Sequence, residues 1–276
     1  MACSVAILSV GTELLIGKIA DTNAQWIARR VTSLSGSVKR ILIIGDNLVD
    51  ISKSVEDSVS LGPTLLIITG GLGPTFDDMT LQGLANAFNA SLRLNPEAET
   101  MVREKYLKYE QETGRKIELT PERLKMATLP EGSRALRNPA GTAPGVLLQQ
   151  GLTTIIALPG VPKEMMAIFE ESVEPIVKKA VGNLSFYAES VNVFDIIESE
   201  LAPWIEETMR QYPKVYIKSH PKAPEPRPLI ELHFSTTSQT LEAAKEEVGN
   251  SVAKISGTIL KHNGRIQEMS SQQLDH

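Results

Sequence analysis

Apolar positions in the first seventy residues come in short β-branched runs separated by longer amphipathic stretches. "SVAILSV" (4–10), "KRILII" (39–44) and "TLLIIT" (64–69) are nearly continuous apolar runs, the pattern of strands buried on both faces. Between the first two, "DTNAQWIARRVTSL" places Trp26, Ile27 and Val31 on one helical face, with Asp21 or Thr22 as cap and Gly36 beyond the end. Between the second and third, Asn47 caps a helix that carries Leu48, Ile51, Val55 and Val59 and stops at Gly62 and Pro63. The order β-α-β-α-β predicts a parallel sheet covered by helices on both faces.

The helical period resumes at Leu81, Leu84, Ala85 and Phe88. A long helix follows, with Asn95 as cap, Pro96 in its first turn and Gly114 at its end. A shorter helix is expected from Thr120-Pro121, then two strands, "GVLLQQ" and "TTIIAL", joined at Gly151. "VPKEMMAIFEESVEPIVKKAV" reads as one helix bent at Pro175. These elements make one α/β domain over residues 1–181.

From residue 182 the pattern changes. "SFYAESVNVF", "KVYIKS" and "LIELHFS" are strand-like, while "DIIESELAPWIEETMRQY" and "SQTLEAAKEEVGNSVAKI" are helical. The order β-α-β-β-α predicts a small α+β domain over 182–261. "HPKAPEPRP", with four prolines, is expected to be an extended loop, and 262–276 a polar, fraying tail.

Composition narrows the function. Charged residues make up 22% and apolar residues 42% of 276, ordinary for a globular protein. No apolar run is long enough for a membrane span, and no leader-like segment opens the chain, so a cytoplasmic protein is expected. Cys3 alone allows neither an internal disulfide nor a cysteine-based zinc site. A net charge of −5 gives no reason to expect duplex nucleic acid as a partner. It leaves room for a small anion in one local pocket.

In an open parallel sheet, ligands bind beyond the carboxyl ends of the strands. Glu13 follows the first strand, Asp46 the second, and "TGGLGPTFDDMT" (69–80), with Asp77 and Asp78, the third. Gly70, Gly71 and Gly73 in that loop permit close backbone approach, so their N–H groups, together with Thr75, can cradle a phosphate. Neither a P-loop nor a Gly-x-Gly-x-x-Gly fingerprint is present. Glycines and aspartates are reconciled if a divalent cation bridges ligand phosphates to Asp46 and Asp78, since magnesium favours one or two carboxylates plus phosphate oxygens. Asp77 and Asp78 cannot both point inward from one turn; one is expected to cap the following helix, with Asp78 as the functional carboxylate. "NPAGTAPG" (138–145) is a second loop of small residues, where Asn138 and Thr142 can donate hydrogen bonds and Gly141 allows close approach. Gly160 follows the last strand.

Taken in order, "VGTELLIGKIADTNAQWIARRV", "GDN", "TGGLGPTFDDMT", "LPEG", "NPAGTAPG" and "ALPGVPKEM" resemble the N-terminal part of CinA-type competence/damage-inducible proteins, within the MoaB/Mog-like molybdopterin-binding fold. The resemblance covers about residues 4–180. "DIIESELAPWI" resembles the start of the KH-like domain of the same proteins. It implies a three-layer α/β domain with a KH-like α+β domain behind it, without the deamidase domain that many such proteins carry. It further implies metal-dependent hydrolysis of ADP-ribose to AMP and ribose 5-phosphate, with magnesium, manganese or cobalt, by a homodimer. Asp46 and Asp78 match the family's functional aspartates, and Glu13 is a third acidic candidate. Two other readings use the same cradle: a pterin phosphate bound for molybdenum cofactor biosynthesis or adenylyl transfer, and a non-catalytic nucleotide-binding module. His220, His233, His262 and His276 lack metal-ligand spacing, no Gly-x-Ser-x-Gly elbow occurs, and the second domain lacks a Gly-x-x-Gly loop.

Overall fold

The computed structural model describes residues 3–223 and 228–268. It divides into two compact units: one takes the chain up to Val181 apart from Ser33–Ser35, the other takes those three residues and the chain from Gly182 onward.

The first unit is built on a six-stranded mixed sheet. β1 (Ser4–Val10), β2 (Ser37–Ile44), β3 (Leu65–Thr69) and β8 (Thr153–Leu158) run parallel, and β7 (Gly145–Gln150) and β6 (Arg134–Leu136) extend it antiparallel, in the order β2-β1-β3-β8-β7-β6. Every residue of β3 is buried, and all but the first of β1. The continuous apolar runs reflect burial on both faces; each such side chain contributes about 1.5–3 kcal/mol. Because β1 connects outward to β2 and the chain then crosses back to β3, the carboxyl ends of β1 and β3 flank a topological switch point.

Helices α2 (Thr22–Ser33), α3 (Leu48–Ser60), α4 (Thr80–Ala87) and α5 (Pro96–Thr113) follow the predicted spans, and their ends have local causes. Asp21 Oδ1 accepts the Ala24 N–H at 2.9 Å, Asn47 accepts from Val49 and Asp50, Asn95 accepts from Ala98, and Gly114 closes α5 in the left-handed conformation. The helix expected from Thr120-Pro121 is α6 (Pro121–Lys125).

Several elements depart from expectation. A one-turn helix, α1 (Thr12–Leu15), directly follows β1, and a two-stranded ribbon pairs β4 (Leu92–Leu94) with β5 (Thr128–Pro130). The helix expected over 161–181 is α7 (Pro162–Ile168), a π turn (Phe169–Val173) and α8 (Glu174–Val181). The irregularity falls just before Pro175, which lacks the N–H that a regular helix would bond to Glu171 and crowds that carbonyl.

In the second unit, β9 (Ser185–Phe194), β10 (Tyr216–Ala223), β11 (Leu229–Ser238) and β12 (Arg265–Glu268) form an antiparallel sheet in the order β10-β11-β9-β12. Helices α9 (Glu198–Gln211) and α10 (Leu241–Lys261) bury Leu201, Ile205, Val248, Ile255 and Ile259 in a core with Val191, Val193, Leu232 and Phe234. Two expectations are corrected. His220–Ala223 of the proline-rich stretch belongs to β10, with a register shift after Pro221, and Pro224–Arg227 lies outside the described residues. Arg265–Glu268, expected to fray, pairs with Val191–Phe194, and Ile266 packs on the core. Positions 269–276 of that expected tail lie outside the described residues.

Candidate functional site

Four parallel strands deliver their carboxyl ends to one edge of the sheet, and the predicted residues follow them there. Glu13 lies in α1, Asp46 just after β2, the glycine loop after β3, and Gly160 after β8. The backbone of the glycine loop is fixed by close approach. Gly70 has φ +97° and Gly71 φ +65°; an added Cβ would lie 2.2 Å from the Val10 carbonyl oxygen at the first and 2.3 Å from Thr80 Oγ1 at the second. Gly160 also packs near Gly70, an added Cβ lying 3.3 Å from the Gly70 Cα. The Gly70 N–H donates to the Leu158 carbonyl at 3.0 Å, and the Thr80 hydroxyl donates to the Gly70 carbonyl at 2.8 Å. Gly70 therefore shapes the turn, while its own N–H is spent within the sheet.

The aspartates are held by local hydrogen bonds. Asp46 Oδ2 accepts the Thr12 N–H at 2.7 Å, so it caps α1 from the neighbouring strand. Asp78 Oδ2 accepts the Thr75 N–H at 2.8 Å and the Thr75 hydroxyl at 2.7 Å, and the same hydroxyl reaches Asp77 Oδ1. That hydroxyl holds the Asp77 carboxyl below the usual carboxylate range. Neither aspartate caps α4: Met79 precedes that helix, with no side-chain cap. The tight Thr75–Asp78 turn uses both carboxylates first. Lys125 Nζ donates to the Thr75 carbonyl.

Two cavities open beside the turn. One, of about 280 Å³, is lined by Gly71, Gly73, Asp78, Gln82 and Lys125. The other, about 90 Å³, is lined by Glu13, Asp21, Asn23, Gly70 and Gly160, among others. Asn23 Nδ2 donates to the Gly160 carbonyl at 2.8 Å. Asp21 Oδ2 and Asn23 Oδ1 are buried acceptors with no partner. Asp46 lines neither cavity. Among the described residues no three His, Cys, Asp or Glu side chains come together as a metal cage.

The second small-residue loop is organised from within. Asn138 is buried; its Oδ1 accepts the N–H groups of Ala140 (3.1 Å) and Gly141 (2.7 Å), and its Nδ2 donates to the Ala143 carbonyl (2.8 Å) and Glu164 Oε2 (2.6 Å). All four of its hydrogen-bonding positions are used by the protein. The space that Gly141 leaves is taken by the Glu164 carboxylate, whose Cδ would lie 1.9 Å from an added Cβ. Thr142 lines larger cavities beside α5. Sequence reasoning missed Asp21, Asn23, Lys125 and Glu164. The "DTN" of the first cap could have pointed to the first two; nothing in the sequence marks Lys125 or Glu164.

Residues 6–179 match a family model described as "Probable molybdopterin binding domain". A relative from Aeropyrum pernix is 39% identical over 266 residues, 96% of this chain and 97% of its own. One from Pyrobaculum aerophilum is 42% identical over 256 residues, 92% of each chain. Among solved structures, "the protein CinA with unknown function" from Thermoplasma acidophilum is 37% identical, with TM-score 0.57, covering 63% of this chain and 98% of that one. Within this chain the matched family region lies in the sheet-and-helix unit that carries the glycine turn, and the chain belongs to the family of molybdopterin-binding domains.

Proposed function

We propose that the carboxyl edge of the parallel sheet binds a phosphorylated pterin of the molybdopterin type. Such a ligand has an anionic phosphate at one end and, at the other, an amino-pyrimidinone edge rich in N–H donors. The observation that carries the reading is the pair of cavities on consecutive residues of one turn. On the Gly71 side, Gly73 and Lys125 suit a phosphate. On the Gly70 side, the unpartnered Asp21 Oδ2 and Asn23 Oδ1 suit N–H donors, since buried acceptors left unpaired cost about 1–3 kcal/mol each.

This reading displaces ADP-ribose hydrolysis as the first expectation. The family match is to a pterin-binding domain, and the two aspartates expected to share a cation are engaged separately, Asp46 by Thr12 and Asp78 by Thr75. In binding, Lys125 would balance the phosphate charge, the glycine turn would fix its position, and Asp21 and Asn23 would orient the ring.

The test is to purify the chain from a host that makes molybdopterin, release the bound ligand by denaturation, and measure pterin fluorescence. Pterin in near-stoichiometric amount, lost in the Asp21→Leu/Asn23→Leu double variant with the fold retained, is the expected result. Absence of pterin, with release of AMP from ADP-ribose in magnesium, manganese or cobalt, would overturn it in favour of the hydrolase.

A further inference from the structure

A groove runs between α5 and the 138–144 loop, and none of its lining residues lines the cavities beside the glycine turn. It consists of a cavity of about 540 Å³ on one side of Pro139 and Thr142 and another of about 520 Å³ on the other side. Lys105, Lys108, Pro139 and Thr142 line both, Arg137 lines the first and Arg123 the second. Each volume is in the range of small-molecule sites.

The cations are arranged as a set. Lys105, half-buried, donates from Nζ to the Pro139 carbonyl at 2.8 Å, which pins it to the floor and leaves two N–H donors. Burial pushes its ammonium below the ordinary lysine value, and Lys108 and Arg137 push the same way; Glu164 opposes them more weakly. The charges that Lys105 feels most are thus other cations. Glu97, Glu104 and Glu112 also line the groove. The ion pairs of Lys108 with Glu112 (3.8 Å) and Arg137 with Glu171 (3.5 Å) are long and exposed, and such pairs are worth little. Arg123, which lines the second cavity, has its guanidinium carbon 4.8 Å from the centre of the Tyr106 ring. Crowding like charges around a half-buried ammonium is unfavourable unless something anionic occupies the space between them.

We propose that this groove is a second anion site, for a phosphate- or pyrophosphate-bearing small molecule held by Lys105, Lys108 and Arg137 with Thr142 as a neutral donor. It is separate from the glycine turn and does not depend on what that turn binds. Asn138 and Glu164 brace the 138–144 loop from within, and Lys105 ties it to α5 through the Pro139 carbonyl.

Inorganic pyrophosphate is the probe, titrated calorimetrically into the whole chain at low salt. The Lys108→Glu/Arg137→Glu variant reverses two exposed charges and leaves the core untouched; it should weaken binding about tenfold or more, the size of one charge-assisted hydrogen bond. Gly73→Ala, whose added methyl would meet the Asp78 carboxylate at 2.6 Å, should remove only what binds at the glycine turn and leave the groove's pyrophosphate affinity within about twofold of wild type. Binding lost in Gly73→Ala but unchanged in the double variant would assign the anion to the glycine turn and overturn the groove, leaving the pterin reading intact. No binding to the wild type at millimolar pyrophosphate would overturn it as well.

Discussion

Thr12 and Asp46 exchange two hydrogen bonds across the carboxyl ends of β1 and β2. The Thr12 N–H donates to Asp46 Oδ2 at 2.7 Å, and the Asp46 N–H donates to Thr12 Oγ1 at 3.1 Å. Residues 34 apart in sequence thereby fix the two loops on one side of the switch point. Asp46→Ala removes the acceptor that caps α1 and should cost about 1 kcal/mol. Thr12→Val removes the return bond, and because the two bonds serve one contact, the double variant should cost less than the sum. Urea unfolding of the four proteins checks this; strict additivity would mean that the two residues act independently.

Gly70 and Gly17 both have positive φ, but they differ in surroundings. Gly17 has nothing within 4 Å of an added Cβ, whereas Gly70 faces the Val10 carbonyl at 2.2 Å. Gly17→Ala should cost about 1 kcal/mol, the left-handed strain alone. Gly70→Ala should cost about 3 kcal/mol or more, because β1 and β3 must separate to admit the methyl. Equal losses in denaturant titrations would show that Val10 is not a fixed wall.

Asn138 is satisfied as an amide and cannot be satisfied as a carboxylate. In Asn138→Asp the atom that donates to the Ala143 carbonyl and to Glu164 becomes a second negative charge beside Glu164. The loss should be about 3–5 kcal/mol, because a negative charge replaces a satisfied donor beside Glu164. Urea unfolding reads it; a loss under about 1 kcal/mol would mean that the loop relaxes away from Glu164.

Glu174 receives Arg30 at 2.6 Å and Lys178 at 2.6 Å, with only 13% of its side chain exposed. Burial alone would raise its pKa, but Lys178 and Arg30 together prevail and hold the carboxyl below its ordinary value of 4.5. A depressed folded-state value means that the stabilisation is present above the unfolded value and lost as pH falls through the folded one. Glu174→Gln should therefore cost about 1–2 kcal/mol at pH 7, and the gap to wild type should close below pH 4.5. Thermal unfolding at stepped pH reads the difference; a gap that persists at low pH would show that packing, rather than charge, is what the substitution disturbs.

The parallel strands with their crossover helices and most helix ends were legible in the sequence, for identifiable reasons, whereas the strand order and the antiparallel β6 and β7 were not. Asn47, Asn95 and Gly114 act as caps through their own side chain or backbone, so the signal is local. β4, β5 and β6 have three residues each, too few to show a period of two, and β12 has Ile266 as its one apolar residue. The candidate site was legible as a set of positions but not as a set of bonds. That Glu13, Asp46, Asp78 and Gly160 follow strand ends is a matter of chain order. That Thr75 engages both Asp77 and Asp78, or that Glu164 fills the space beside Gly141, depends on side-chain contacts that no periodicity records.

The π turn before Pro175 has a consequence for the angular bookkeeping of its helix. At about 100° per residue, the buried residues Met165, Ile168, Phe169, Val173, Val177 and Val181 would fan over roughly 220° of a regular α-helix. No flat partner can cover so wide an arc. One extra residue in the turn winds the following segment back by about 100°, which gathers the six into an arc of roughly 120°. Phe169, at the start of the turn, meets Trp26 edge to face at 5.2 Å and lies at the pivot. The segment therefore works as a phase corrector: it lets two helical halves, each patterned for the core but out of step, share one buried stripe. A regular helix drawn through the same residues would turn Val177 and Val181 away from it.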